Sequence, residues 1–252
     1  MNIEYKRILV GKSYLKEGKQ IPADLKDNIN ALEHVLRFQF KEYPTGVIVD
    51  NTKVHTFKCV HLAKSLGLDL KYPTLLRTLW IHDIPELETN DVTVIEKYRK
   101  DNVDKAVEQK ELKAAKSLLS KTDQKLLTSF NAANNFLKVK PDEIPNLSFL
   151  YAKLIDNSEG NMTFHYFISS WVKSKNYKAD LLPPPDSLIH PFVTNAKFKQ
   201  RIKLNIQHED IIHLLDFIDS VVNEIKLFWK DVPKSRIPTV ITNAIKDYER
   251  KD

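Results

Sequence analysis

Apolar side chains recur every three or four residues along most of this chain, with few glycines to interrupt them. Leu25, Ile29, Leu32, Leu36 and Phe40 share one side of a helix. So do Ile211, Leu214, Leu215, Ile218, Val221, Val222 and Ile225, over a long amphipathic stretch at about 206–230. A chain with this period, and with only five glycines in 252 residues, is confined to packing helix on helix. The predicted fold class is therefore all-α. The length suits one large domain, or a main domain with an extension, and can bury a substantial core.

Local signals divide the chain further. Asp24 is placed to cap the first helix, Pro44-Thr45-Gly46 is turn chemistry, and Val47-Ile48-Val49 fits a short extended piece. Helices are predicted over 53–66, carrying His55, and over 71–83, where Leu75, Leu76, Leu79 and Trp80 lead into His82. Pro85 disfavours the α conformation at Ile84, so the second of these stops or kinks there, and Glu88 to Thr93 reads as a loop. Further helices follow at about 103–120, 123–137 and 146–172, with Asp123 and Asn146 as caps or turn residues. The last carries Asp156 beside Leu150, Leu154 and Ile155. Pro183-Pro184-Pro185 reads as a rigid break, followed by Ile189-His190-Pro191. A boundary near 172 separates a main domain, 1–171, from a helical C-terminal extension, 172–252, in which Pro238 starts a final helix. The apolar side of 206–230 fits the same core or a second copy in a homodimer, and periodicity does not decide between them.

Composition narrows the partners. A net charge of +6, from 39 basic and 33 acidic residues, is a mild bias toward anionic ligands and not a nucleic-acid signature. Lys197, Lys199, Arg201 and Lys203 form a basic alternation read as a solvated edge, since only Phe198 accompanies it as an aromatic platform. Cys59 is the single cysteine, which excludes an intramolecular disulfide and a Cys-rich zinc or iron-sulfur site. No apolar run has the length of a membrane span, and Met1 to Lys19 lacks the core of a secretory signal. The expectation is a soluble cytoplasmic protein with no membrane partner.

The chemistry concentrates in His82-Asp83, with Glu86 after it, His55 upstream and Asp156 downstream. An adjacent His and Asp offer one imidazole nitrogen and one carboxylate oxygen to the same cation. A second His and Asp from other helices complete four protein ligands and leave positions open for water and a phosphate oxygen. His61, alone on its helix, is read as a packed or surface imidazole.

Taken in order, Asn51 four residues before His55, His82-Asp83-Ile84-Pro85-Glu86, Thr89-Asn90-Asp91 and Lys153-Leu154-Ile155-Asp156-Asn157-Ser158-Glu159-Gly160 resemble the HD-domain phosphohydrolase superfamily. The closest likeness is to its 5′-deoxynucleotidase branch, over about 37–160. The resemblance implies a helical HD bundle in which His55, His82, Asp83 and Asp156 hold one divalent metal ion. It also implies that Glu86 assists proton transfer and that Asp91 helps the substrate and the catalytic water. Read as residues alone, Glu86 also fits a helix-terminal carboxylate, and Asp91 a cap for a helix beginning near Val92. That branch usually carries an arginine near the upstream Pro-Gly turn that contacts the substrate phosphate. Here Lys41 is the nearest basic residue before Pro44, with Arg37 a turn earlier, so Lys41 is the first candidate for that contact and Arg37 the next. The implied activity is removal of phosphate from nucleoside or deoxyribonucleoside 5′-monophosphates. The alternatives are hydrolysis of another small phosphorylated metabolite, or a non-catalytic nucleotide- or protein-binding module. A His/carboxylate set accepts manganese, cobalt, iron, nickel, zinc or magnesium, so the sequence does not name the ion.

Overall fold

The computed structural model describes residues 12–37, 50–90, 103–138, 144–175, 177–206 and 211–250. Among them are eleven α-helices and no strand. Chain order gives α1 (Lys26–Ala31), α2 (Thr52–Ser65), α3 (Leu68–Lys71), α4 (Pro73–Ile81), α5 (Glu86–Thr89), α6 (Val103–Leu118) and α7 (Lys121–Lys138). They are followed by α8 (Leu147–Lys173), α9 (Pro185–Asn205), α10 (Ile211–Lys230) and α11 (Thr239–Glu249). The all-α architecture expected from the apolar period is the one observed. No helix among the described residues is long and apolar enough to cross a membrane.

α8 is the axis of the molecule. Its 27 residues bury apolar side chains on several sides, from Leu150 and Ile155 to Met162, Ile168 and Val172, because it packs on α2, α4 and α7 in one direction and on α10 in another. α10 is amphipathic in the ordinary sense, with Leu214, Ile218, Val221, Val222 and Ile225 buried while Ile212 and Leu227 face outward. One apolar cluster runs from Leu25 and Ile29 through Leu79 and Phe136 to Phe192, Phe217 and Trp229, so α9 to α11 share the core of the preceding helices.

The first predicted helix is shorter than its apolar spacing suggested. α1 is flanked by 3-10 turns at Ala23–Leu25 and Leu32–His34, and Val35 leaves the helical region at φ −91°, ψ 107°. The backbone there pairs with the approach to α2: Thr52 N–H donates to the Val35 carbonyl at 2.9 Å and Arg37 N–H to the Asp50 carbonyl at 3.0 Å. These two bonds close an isolated antiparallel bridge, Leu36 to Asn51, and leave Leu36 half exposed instead of in the core.

The residues expected near helix starts have different outcomes. Asp24 makes no cap and instead pairs with Arg77 at 2.6 Å. Asp123 sits in the first turn of α7, where Ser120 Oγ accepts from its N–H at 3.1 Å and its carboxylate takes the other side of the Arg77 fork. Asn146 does cap α8, accepting from Ser148 N–H at 2.8 Å.

The proline run is a start rather than only a break. Pro185 occupies the first turn of α9, where its missing N–H costs nothing and its fixed φ suits the helix. α9 continues through Pro191 because Leu188, Phe192, Asn195, Phe198 and Ile202 are buried along it. The basic alternation on α9 is not uniformly solvated: Lys199 is buried, pairs with Asp219 at 2.8 Å and lies against the Tyr248 ring. Phe40, Lys41, Pro44-Thr45-Gly46, Val47-Ile48-Val49 and Asp91 to Thr93 lie outside the described residues.

Candidate metal centre

Three helices meet where α2, α4 and α8 cross, and each contributes to one point. His55 lies in the first turn of α2, whose N-terminus is fixed by Asn51 Oδ1 accepting from Val54 N–H at 2.9 Å. α4 ends at Ile81, and His82 and Asp83 occupy the turn between it and α5. Asp156 projects from α8. The Nε2 atoms of His55 and His82 are 3.3 Å apart. Asp156 Oδ1 lies 3.1 Å from His55 Nε2 and 3.7 Å from His82 Nε2, and Asp83 Oδ2 lies 3.5 and 3.1 Å from the same two atoms.

Separations of 3.1 to 3.7 Å are compatible with atoms sharing a cation. Bonds of about 2.1 Å put tetrahedral ligands about 3.4 Å apart and neighbouring octahedral ligands about 3.0 Å apart. Each imidazole is also oriented from behind. His82 Nδ1 is 2.8 Å from the Leu79 carbonyl, which can only accept, so a hydrogen is on Nδ1 and Nε2 is the nitrogen left to face a cation. His55 Nδ1 makes a short hydrogen bond to Glu159, with the same result. Asp156 gives its other oxygen to Lys153 at 2.6 Å. Asp83 Oδ2 is buried with no hydrogen-bond partner, and such an atom is costly unless a charge meets it.

The electrostatics fit a cation. Burial would lower the His82 pKa, but the charges of Asp83 and Asp156 outweigh it and push it up to about 10. Asp156 is held well below the usual carboxylate range against its own burial, chiefly by Lys153 and the two imidazoles. The carboxylates thus demand a positive charge between the rings, which a proton or a metal ion can meet.

His55, Cys59 and His82 also form a compact buried group of donors that could hold a metal ion. Cys59 is one helical turn after His55. Its Sγ lies 3.6 Å from His55 Nε2 and 3.7 Å from Nδ1, almost equally far from both. Burial, then the charges of Glu159, Asp156 and Asp83, push its thiol pKa well above the ordinary value. Of the two donor sets, the carboxylates have the better chemistry: they are already ionised, whereas the thiol must lose a proton among negative neighbours.

The remaining candidates separate clearly. Arg37 reaches the centre, with Nη1 3.8 Å from Asp83 Oδ2. Its Nη2 lies only 3.2 Å from the point where a Cβ on Gly160 would stand, so this glycine inside α8 leaves room for the guanidinium. Glu86 opens α5 and accepts from Thr52 Oγ1 at 3.2 Å, which ties it to the first turn of α2. Lys41 and Asp91 lie outside the described residues. A shallow groove lined by Lys71, Tyr72, Thr74 and Asn146 lies at the N-terminal ends of α4 and α8, whereas His82 and Asp83 lie beyond the far end of α4. Sequence reasoning gave Glu159 no role beyond its place in the run Lys153 to Gly160 and passed over Lys58, although each follows a candidate ligand by three positions on its helix. No family model matches the chain, and neither a curated protein nor a solved structure matches it.

Proposed function

We propose that the chain is a metal-dependent phosphohydrolase acting on nucleoside 5′-monophosphates, its cation held by His55, His82, Asp83 and Asp156. The observation that carries this reading is the convergence of two Nε2 atoms and two carboxylate oxygens on one point, with the Arg37 guanidinium beside it. The nucleoside part rests on the resemblance between Val54 and Gly160. Among the described residues, the carboxylates Asp50, Asp83, Asp156 and Glu159 face the cations Arg37, Lys58 and Lys153. A divalent ion would offset the excess of carboxylates there, which Glu86 increases further, and so allow an anionic ligand to approach.

When bound, such an ion polarises a phosphoryl oxygen and acidifies a water toward neutral pH. The side chains supply the rest. Arg37, 3.8 Å from Asp83, would take phosphoryl oxygens through its planar fork and offset their charge. Glu86, steadied by Thr52, is the group that would deliver a proton to the departing ribose oxygen.

The test is release of inorganic phosphate from a panel of ribo- and deoxyribonucleoside 5′-monophosphates and sugar phosphates, each with manganese, cobalt, zinc or magnesium. Metal-dependent release from nucleotides is expected. Preferential release from a sugar phosphate would move the substrate class, and metal binding without release from any compound would overturn the enzymatic reading.

A further inference from the structure

Behind His55 lies a row of buried charged side chains that ligand roles leave unexplained. Glu159 and Lys58 are each only 2 % exposed, in the seam between α2 and α8. One oxygen of Glu159 accepts from His55 Nδ1. The other accepts from Thr163 Oγ1 at 2.6 Å and lies 3.6 Å from Lys58 Nζ. Lys58 is paired with Asp50, lies 3.5 Å from Thr163 Oγ1 and has the Tyr14 ring 5.5 Å away. Asp50 in turn is the residue whose carbonyl receives the Arg37 N–H.

Stability alone is a poor reason for such a row. Apolar residues of similar volume often replace buried ion pairs without loss, and the same two helices also bury Cys59, Val60, Leu154 and Ile155. The spacing is informative as well. On α2 the lysine follows the ligand His55 by three residues, and on α8 the glutamate follows the ligand Asp156 by three. Each helix therefore presents a ligand and a supporting charge on one face.

We propose that Glu159 and Lys58, neither of them a ligand, are positioning residues that set the affinity of the centre for its cation, an inference that rests on the metal reading above. Glu159 keeps the hydrogen on His55 Nδ1, so that the Nε2 lone pair points at the cation, and its charge strengthens the imidazole as a donor. Lys58 faces the second carboxylate oxygen and keeps the first turned toward His55. Asp50 and Tyr14 hold the lysine in place.

The test uses the full chain and reads cobalt(II) directly, by titration and by the visible spectrum of the bound ion, with thermal unfolding of the metal-free protein in parallel. Glu159→Gln removes the charge at constant shape and is expected to weaken cobalt binding by about 10- to 100-fold, the usual scale for groups that orient a ligand. Lys58→Met should weaken it by about tenfold and Lys58→Arg should recover part of the loss, an ordering that a merely structural role would not produce. Should Glu159→Gln or Lys58→Met fail to fold, Thr163→Val, which removes one hydrogen bond to Glu159, is expected to raise the dissociation constant by roughly threefold. Cobalt binding by the wild type with unchanged affinity and spectrum in the folded variants would overturn the inference and leave the metal reading standing. A wild type that binds no cobalt would instead remove the metal reading itself.

Discussion

A buried thiol, the buried carboxylate of Asp83 and the part-buried carboxylate of Asp156 stand around the same pair of imidazoles, and their distances to the ring nitrogens separate them. Cys59 Sγ is almost equidistant from both nitrogens of His55, whereas the Asp83 and Asp156 oxygens each approach Nε2 of both rings. Cys59→Ala should therefore keep one bound metal per chain, with affinity within about threefold of wild type. Asp83→Ala should lose more than the roughly 100-fold that outer partners command. Metal content and titration decide it, and a thiol variant that loses its metal would reassign the donor set. Gly160 raises a second question at this scale, because a glycine inside a helix costs about 1 kcal/mol against alanine. Gly160→Ala should press on the Arg37 guanidinium and weaken inhibition by inorganic phosphate by about tenfold, as should Arg37→Lys, with metal affinity unchanged in both. If phosphate inhibits both variants as it does the wild type, Arg37 has no part in anion binding. The place of Arg37 beside Asp83 was not legible in the sequence, because it depends on Val35 leaving the helical region and on a backbone pairing with Asp50 and Thr52. His55, His82, Asp83 and Asp156 were legible as a set because an adjacent His-Asp pair needs partners from other helices. The roles of Glu159 and Lys58 were overlooked because charged residues at helical spacing ordinarily face solvent.

Among the elements, α8 and α10 are joined by a polar contact inside an apolar layer. Trp229 Nε1 donates to His165 Nδ1 at 2.9 Å, and the imidazole is wholly buried. Burial, helped by the charge of His190, pulls the His165 pKa down to about 3. An unfolded chain takes up this proton near pH 6.5, and the folded one does not until about pH 3. The stability that follows from keeping this ring neutral is therefore complete above about pH 6.5 and declines as pH falls, by about 1.4 kcal/mol per unit from this group. His165→Gln keeps an acceptor for Trp229 without a titrating ring, so its stability should fall less steeply than that of wild type between pH 6.5 and 4 in urea unfolding; parallel profiles would remove the assignment. Glu86, at the start of α5, carries the other expectation at this scale. Glu86→Gln should keep metal affinity and lower turnover by about a hundredfold, and unchanged turnover would reduce it to a helix-terminal carboxylate. Helix type and most helix positions could be read from apolar spacing. α9 was not seen because Pro185 and Pro191 look like breakers until one knows that the first stands at a helix start and the second is outweighed by the burial of Phe192, Phe198 and Ile202.

At the scale of the whole molecule, the proposed ligand residues come from α2, the turn after α4 and α8, so a cation held by them would be a clasp on the fold. A ligand that binds only the folded state stabilises it by about 2.7 kcal/mol at a hundred times its dissociation constant. For a chain of this size, that is a rise in Tm of roughly 5 to 10 °C. Thermal unfolding with and without cobalt or manganese should show this rise in wild type, a chelator should reverse it, and Asp156→Ala should abolish it. An equal rise in Asp156→Ala would place the stabilising ion elsewhere.

α8 is a lever as much as a wall. Asp156 rides on its first half, and Trp171 closes its far end against Tyr177, a span of about 22 Å at 1.5 Å per residue. A swing of roughly five degrees about that far end would carry the Asp156 end sideways by about 2 Å, some ten times the tolerance of about 0.2 Å on a metal–ligand distance. Aim at the centre is thus governed partly from the remote end, where α10 packs along α8. A cavity opened beneath Trp229 would reach the chemistry as a misdirected carboxylate long before it reached the fold as a loss of structure.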